Sequence, residues 1–308
     1  MQVRVENLTH TYNAGLAYET DAVKNVSFTV DDGEFIGIIG HTGSGKSTLI
    51  QHLNGILKPT SGKIFVGDTD ITKKGVSAIE VRKRIGMVFQ YPEYQLFEET
   101  VAKDIAFGPK NQGVGDEEIS VRVREAMALV NIDFNEYSQR SPFELSGGQR
   151  RRIAIAGVLA MKPEMLILDE PTAGLDPKAH DDILDMITSI RTNTGGTVVL
   201  VSHNMDDVAN LCERIFVMSN GELVMDETPA VVFADEVKMK ELGLGLPPAR
   251  EFANELARRG LSVKQDILSI EDLIASIAAG LDCHASLAMT ATDLSLRAKR
   301  GNPEDTPC

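Results

Sequence analysis

Gly40-His41-Thr42-Gly43-Ser44-Gly45-Lys46-Ser47 meets every fixed position of the spacing G-x-x-x-x-G-K-[ST]. Glycines at those places let the backbone curl so that its N–H groups point inward at an anion. A helix that follows adds the positive end of its dipole. Lys46 is placed to reach the β- and γ-phosphates of a nucleotide, and the Ser47 hydroxyl suits a Mg²⁺ ion. Leu166-Ile167-Leu168-Asp169-Glu170 ends an apolar run in two carboxylates. Asp169 suits the shell of a phosphate-bound Mg²⁺, and Glu170 suits a base that orients and deprotonates a water. Leu145-Ser146-Gly147-Gly148-Gln149 is a second candidate anion site. Ser146 can cap the helix that follows, and two glycines leave backbone N–H groups bare. Arg150-Arg151-Arg152 reads either as a nucleic-acid contact or as a solvated or ion-paired face, and the acidic chain favours the latter.

These residues need rigid elements to aim them. Phe35–Ile39 reads as a buried strand running into the glycine turn, and Ser47–Asn54 as a helix with Gly55 just past its end. Further strands are expected at Val26–Val30, Gly62–Val66, Ile85–Phe89, Met165–Leu168 and Thr197–Val201. Ile215–Met218 and Glu222–Met225 flank Asn220-Gly221, a hairpin signal. Asp176-Pro177 opens a helix to about Thr192. Residues 92–162 read as a mostly helical insertion, with breaks at Gly113–Gly115 and Ser141-Pro142. Alternating strands and helices imply an α/β fold around a parallel sheet, in which ligands bind at the strand ends.

With these marks in this order, the sequence resembles the ATP-binding-cassette ATPases over roughly residues 3–226. GHTGSGKS matches the Walker A loop, Gln90 the Q-loop, LSGGQ the signature and LILDE Walker B. Ala173-Gly174-Leu175-Asp176 matches the D-loop, and His203 the switch histidine. The resemblance implies a P-loop NTPase (RecA-like) core with an N-terminal antiparallel β subdomain and an inserted helical subdomain. It implies ATP hydrolysis between two subunits joined head to tail, Walker A of one facing the signature of the other. It also implies nucleotide contacts from Tyr12, which stacks on adenine, from Thr48, from Gln149 and from Asp176. Gln90 and His203 then sense the γ-phosphate, Gln90 also meets Mg²⁺, and Glu170 is the catalytic base.

A narrower resemblance points to energy-coupling factor transporters, which import vitamins or transition-metal ions into prokaryotes. It rests on Tyr91-Pro92-Glu93-Tyr94-Gln95-Leu96-Phe97 after Gln90, on Ala106–Pro109, on the loop Asn13–Asp21 and on the extension after 226. That loop is similar to the second of two paralogous ATPases. The implied partners are a paralogous ATPase subunit or a second copy, a transmembrane coupling protein and a membrane substrate-binding protein. Other transporter classes and soluble cassette proteins of ribosomes or DNA are the competing readings. The last of these is disfavoured by a single Walker A and signature, about 100 residues apart.

Composition fits that frame. The 308 residues carry 31 Lys+Arg against 45 Asp+Glu, a net charge of −14 that argues against nucleic acid as a partner. No run is long and apolar enough for a membrane span, and the N-terminus lacks a signal-peptide core. Cys212, Cys283 and Cys308 build no disulfide framework. The expectation is a protein on the cytoplasmic face of the membrane, held there by partners. Its parts are a cassette over 1–226, a helical extension over 227–282 and a loose tail over 283–308, where Cys283 and His284 are weak metal-ligand candidates.

Overall fold

Three mostly apolar runs, FIGII, MLILD and TVVLV, are buried at every residue. Strands buried on both faces belong in the middle of a parallel sheet. A computed structural model of the chain, which describes residues 1–264 and 266–279, puts them there. They are β3 (Phe35–Ile39), β7 (Met165–Asp169) and β8 (Thr197–Val201). The other strands are β1 (Val3–Tyr12), β2 (Thr20–Val30), β4 (Ser61–Val66), β5 (Thr69–Asp70), β6 (Ile85–Val88), β9 (Arg214–Ser219) and β10 (Glu222–Glu227). One sheet has the order β10-β9-β3-β8-β7-β6, parallel except for β10. The other is antiparallel, in the order β2-β1-β4-β5.

Leu49, Ile50 and Leu53 of helix Lys46–Leu53 share one apolar core with β1, β2, β4 and the parallel sheet. Phe28 of β2 meets Phe216 of β9 with ring centroids 4.8 Å apart. Each large apolar side chain so buried contributes about 1.5–3 kcal/mol, and together they fix helix Lys46–Leu53 against β3. Because β3, β7 and β8 run parallel, the Gly40 loop, Asp169-Glu170 and Ser202-His203 all emerge at the same end of the sheet.

The insertion is helical, with helices Val101–Asn111, Asp116–Leu129 and Gly147–Leu159; the short helical turns Phe134–Tyr137 and Pro142–Glu144 lie between the last two. Asn220 and Gly221 both take positive φ, 51° and 84°, closing the β9–β10 hairpin. β2 begins at Thr20, six residues before the expected strand, because Thr20 and Asp21 already pair with Tyr12 and Thr11. Helices Ala78–Arg84 and Met205–Leu211 have no counterpart in the sequence reading. Both are seven residues long, too short to show a clear apolar period.

The chain divides into two compact units, Met1–Gly245 and a second beginning at Leu246. The first unit runs past the expected break at 226, because helix Pro229–Val232 packs on β9 and β10. In the second, Ala249, Ala253, Ile267 and Leu273 form a small core of their own. The tail over 283–308, with Cys283, His284 and Cys308, lies outside the described residues, as does Leu281. Among the described residues no helix is long and apolar enough to cross a membrane.

Candidate functional site

The loop after β3 is shaped by close backbone approach. Gly45 has φ 101°, and a Cβ there would lie 2.3 Å from the Ala22 carbonyl oxygen. Gly45→Ala is expected to destabilise the fold by about 1–3 kcal/mol; a thermal melt unchanged from the parent would contradict this close packing. Lys46, 6 % exposed, folds back across the loop. Its Nζ donates to the Gly40 carbonyl at 2.6 Å and to the His41 carbonyl at 3.1 Å. No side chain caps helix Lys46–Leu53, so the N–H groups of its first turn remain available to an anion. Ser44 Oγ is buried in the same loop without a hydrogen-bond partner. Tyr12 is part-exposed beside the loop, its Oη 3.3 Å from Thr48 Oγ1. His10 sets the Tyr12 ring edge-on, centroids 4.5 Å apart.

Asp169 and Glu170 face that lysine from the end of β7. Burial pushes Asp169 up and Lys46 down, and the attraction between them opposes both shifts. Glu170 is pushed up to about 7, chiefly by burial and further by Asp169 and Asp207, against the His203 backbone N–H and Lys46. A carboxyl in that range is suited to taking a proton near neutral pH. Its backbone is in the left-handed region, φ 51°, pinned by a hydrogen bond from its N–H to the Val201 carbonyl at 2.9 Å. Holding a glutamate there costs about 1–3 kcal/mol. Glu170 Oε1 is buried without a hydrogen bond, and His203 Nε2 lies 3.3 Å from it. Burial and Lys46 hold His203 below its usual range, which favours the neutral ring. Gln90 leaves β6 beside these carboxylates, since Val88 pairs with Leu168.

The signature residues lie elsewhere. Ser146 Oγ accepts from the Gln149 backbone N–H at 3.3 Å, and Gln149 Oε1 accepts from the Ser146 backbone N–H at 3.0 Å. This reciprocal cap opens helix Gly147–Leu159. Ser146, Gly147, Gly148, Gln149 and Asp176 line a cavity of about 800 Å³ that includes no residue of 40–48. Asp176 caps helix Pro177–Thr194 through the Ala179 N–H at 3.0 Å. The fold thus gathers Gly40–Thr48, Tyr12, Asp169, Glu170, His203 and Gln90, and holds Ser146–Gln149 and Asp176 apart from them.

The model of the ABC transporter family matches residues 23–173. The energy-coupling factor transporter ATP-binding protein EcfA2 of Caldanaerobacter subterraneus subsp. tengcongensis is 54 % identical over 272 residues, 88 % of this chain and 95 % of that one. Its counterpart in Clostridium acetobutylicum is 52 % identical over 271 residues, with 88 % and 95 % covered. The chain belongs to the family of energy-coupling factor transporter ATP-binding proteins. Solved cassettes agree with this ABC ATPase fold. cbiO1 from Clostridium perfringens, part of the ABC transporter complex cbiONQ, is 38 % identical with a TM-score of 0.68, covering 80 % of this chain and 95 % of that one. A dimeric ATP-binding cassette in a post-hydrolysis state bound to ADP and Pi is 30 % identical with a TM-score of 0.64, over 74 % and 98 % of the two chains.

One residue of this energy-coupling factor ATPase was hidden from sequence reasoning. Arg151 takes the ion-paired alternative, but inside the fold and not on a face: it is 1 % exposed and pairs with Glu93 at 2.7 Å. Its neighbour Arg152 pairs with Asp182 at 3.2 Å. Three consecutive arginines carry no signal that singles out the middle one; only the fold around it does.

Proposed function

We propose that this ATPase subunit works in a pair at the cytoplasmic face of the membrane, each nucleotide held between the phosphate loop of one subunit and the signature of the other. The observation that carries this reading concerns Gly147 and Gly148. A Cβ added at either would meet nothing within 4 Å. Glycine inside a helix costs about 0.5–1 kcal/mol relative to alanine, and at these first two helical positions no packing contact demands it. Both glycines line a cavity that includes no residue of the chain's own phosphate loop, which suits a ligand carried by another subunit. That subunit is a paralogous ATPase or a second copy.

In this reading Lys46 and the loop N–H groups bind the β- and γ-phosphates, and Tyr12 stacks on the base. Glu170 orients a water and takes its proton, while His203 and Gln90 hold the far side of the γ-phosphate. Positioning and charge stabilisation supply the rest of the rate. The donor set fits Mg²⁺. Asp169 is a buried carboxylate that lacks a full counter-charge, Ser47 supplies a hydroxyl, and both are hard oxygen ligands. Asp169 and Ser47 would hold the ion together with the phosphates of a bound nucleotide. When bound, the ion neutralises charge building on the phosphates.

Coupling to transport uses a groove of about 450 Å³ lined by Ile79, Leu96, Phe97, Phe107 and Met161. Ile79, Phe97 and Phe107 are exposed apolar residues, and Leu96 and Phe97 follow closely on Gln90. That face receives the transmembrane coupling protein, which in turn works with a membrane substrate-binding protein.

Gly148→Asp tests the shared site. The fold has room for the side chain, and its charge repels phosphate. Nucleotide affinity of the isolated chain is expected to stay within about twofold, while hydrolysis by the pair falls about 10²-fold or more. Full hydrolysis in that variant would contradict the shared site.

A further inference from the structure

Arg151 ties together three stretches of chain that the function needs in register. A guanidinium keeps its charge at any working pH, so burying it demands partners. Nε and Nη2 donate to Oε2 and Oε1 of Glu93 at 3.0 and 2.7 Å, a two-pronged pair. Nη1 donates to the carbonyls of Pro171 and Ala173 at 3.0 and 2.8 Å. Glu93 follows Gln90 by three residues, Pro171 follows the base Glu170, Ala173 opens the turn to Asp176, and Arg151 itself rides on the signature helix. The ring of Tyr91 lies over the guanidinium at 5.8 Å, and a Cβ at Gly174 would sit 3.4 Å from that ring. Burial raises the Glu93 carboxyl, but the hydrogen bonds and charge of Arg151 outweigh it and hold Glu93 below the usual carboxylate range.

Stability alone is a poor reason for such a pair. Apolar residues of similar volume often serve a core equally well, whereas a planar fork fixes direction. We propose that Arg151 is a positioning residue. It locks the Gln90 segment and the turn after Glu170, which serve the chain's own phosphate site, to the signature helix, which meets the partner subunit's nucleotide. It acts through Glu93 and the carbonyls of Pro171 and Ala173. The inference rests on the paired-site reading above, and adds to it that a displacement at the Gln90 segment must move the signature as well. Lysine cannot replace it, since one ammonium cannot make a two-pronged carboxylate pair and reach two carbonyls in that plane.

The test compares Glu93→Gln and Arg151→Lys with the parent in the purified ATPase pair. Glu93→Gln keeps the shape and leaves Arg151 its two carbonyls. The expected result is a kcat at least about tenfold lower in both variants. ATP affinity of the isolated chain stays within about twofold, because Lys46 and its loop are untouched. Should Arg151→Lys fail to fold, Glu93→Gln decides alone. A folded Glu93→Gln with parental kcat would overturn the inference. So would a loss of ATP affinity parallel to the loss of kcat, which would place the effect at the phosphate loop. Failure of the paired-site reading shows separately, as full activity of Gly148→Asp in the same assay.

Discussion

Glu170→Gln is expected to bind ATP as the parent does and to hydrolyse it about 10²–10⁴-fold more slowly. The amide keeps the size and polarity of the carboxyl and cannot take a proton from water. The parent side chain is set for that task by its surroundings. Its Oε1 is buried without a hydrogen bond, and burial beside Asp169 pushes its pKa up to about 7. The substitution also removes one negative charge near the phosphates, so ground-state binding has no reason to weaken. A loss confined to kcat is the signature of a group that acts in the transition state. Single-turnover hydrolysis and a nucleotide titration, run on the same preparation, separate the two quantities. Parental turnover in Glu170→Gln would remove Glu170 from the role of base.

Lys46→Ala is expected to act on the other quantity. The Lys46 ammonium is buried, close enough to Asp169 and Glu170 to feel both charges, and held over the loop by two carbonyls. With phosphate present, that charge is the one side-chain cation the loop sequence supplies. Hydrogen bonds to charged groups contribute about 1.5–3 kcal/mol each, so ATP affinity should fall by at least about tenfold. Removing Lys46 also leaves the Gly40 and His41 carbonyls without their donor, which loosens the cradle further. An unchanged titration with a fluorescent ATP analogue would refute the phosphate role.

The two variants probe what the sequence displays most openly. Gly40–Ser47 is legible because its chemistry is local, with eight consecutive residues making the cradle between a strand and a helix. The fold class was legible for a related reason, since FIGII, MLILD and TVVLV are too apolar for any place but a sheet interior. Less was readable where a role depends on residues far apart. Arg151 and Glu93 are 58 positions apart, and only the packing of the signature helix against the Gln90 segment makes them a pair. The left-handed backbone of Glu170 is likewise invisible in its residue type, because β7 and β8 impose it. The end of the first unit at Gly245 carries little sequence signal, because helix Pro229–Val232 gives only four residues of pattern.

The bare glycines of the signature and the separation of Ser146–Gln149 from Gly40–Thr48 make one claim about assembly. In the proposed paired site, neither half suffices within one chain. The most direct test is the mass of Glu170→Gln by light scattering, alone or mixed with a paralogous ATPase subunit, with and without ATP. ATP is expected to drive the 33.5 kDa subunits into a two-subunit particle, and Gly148→Asp added to the same background to abolish the shift, as a shared site requires. Subunits that bind ATP to saturation and stay at monomer mass would contradict it.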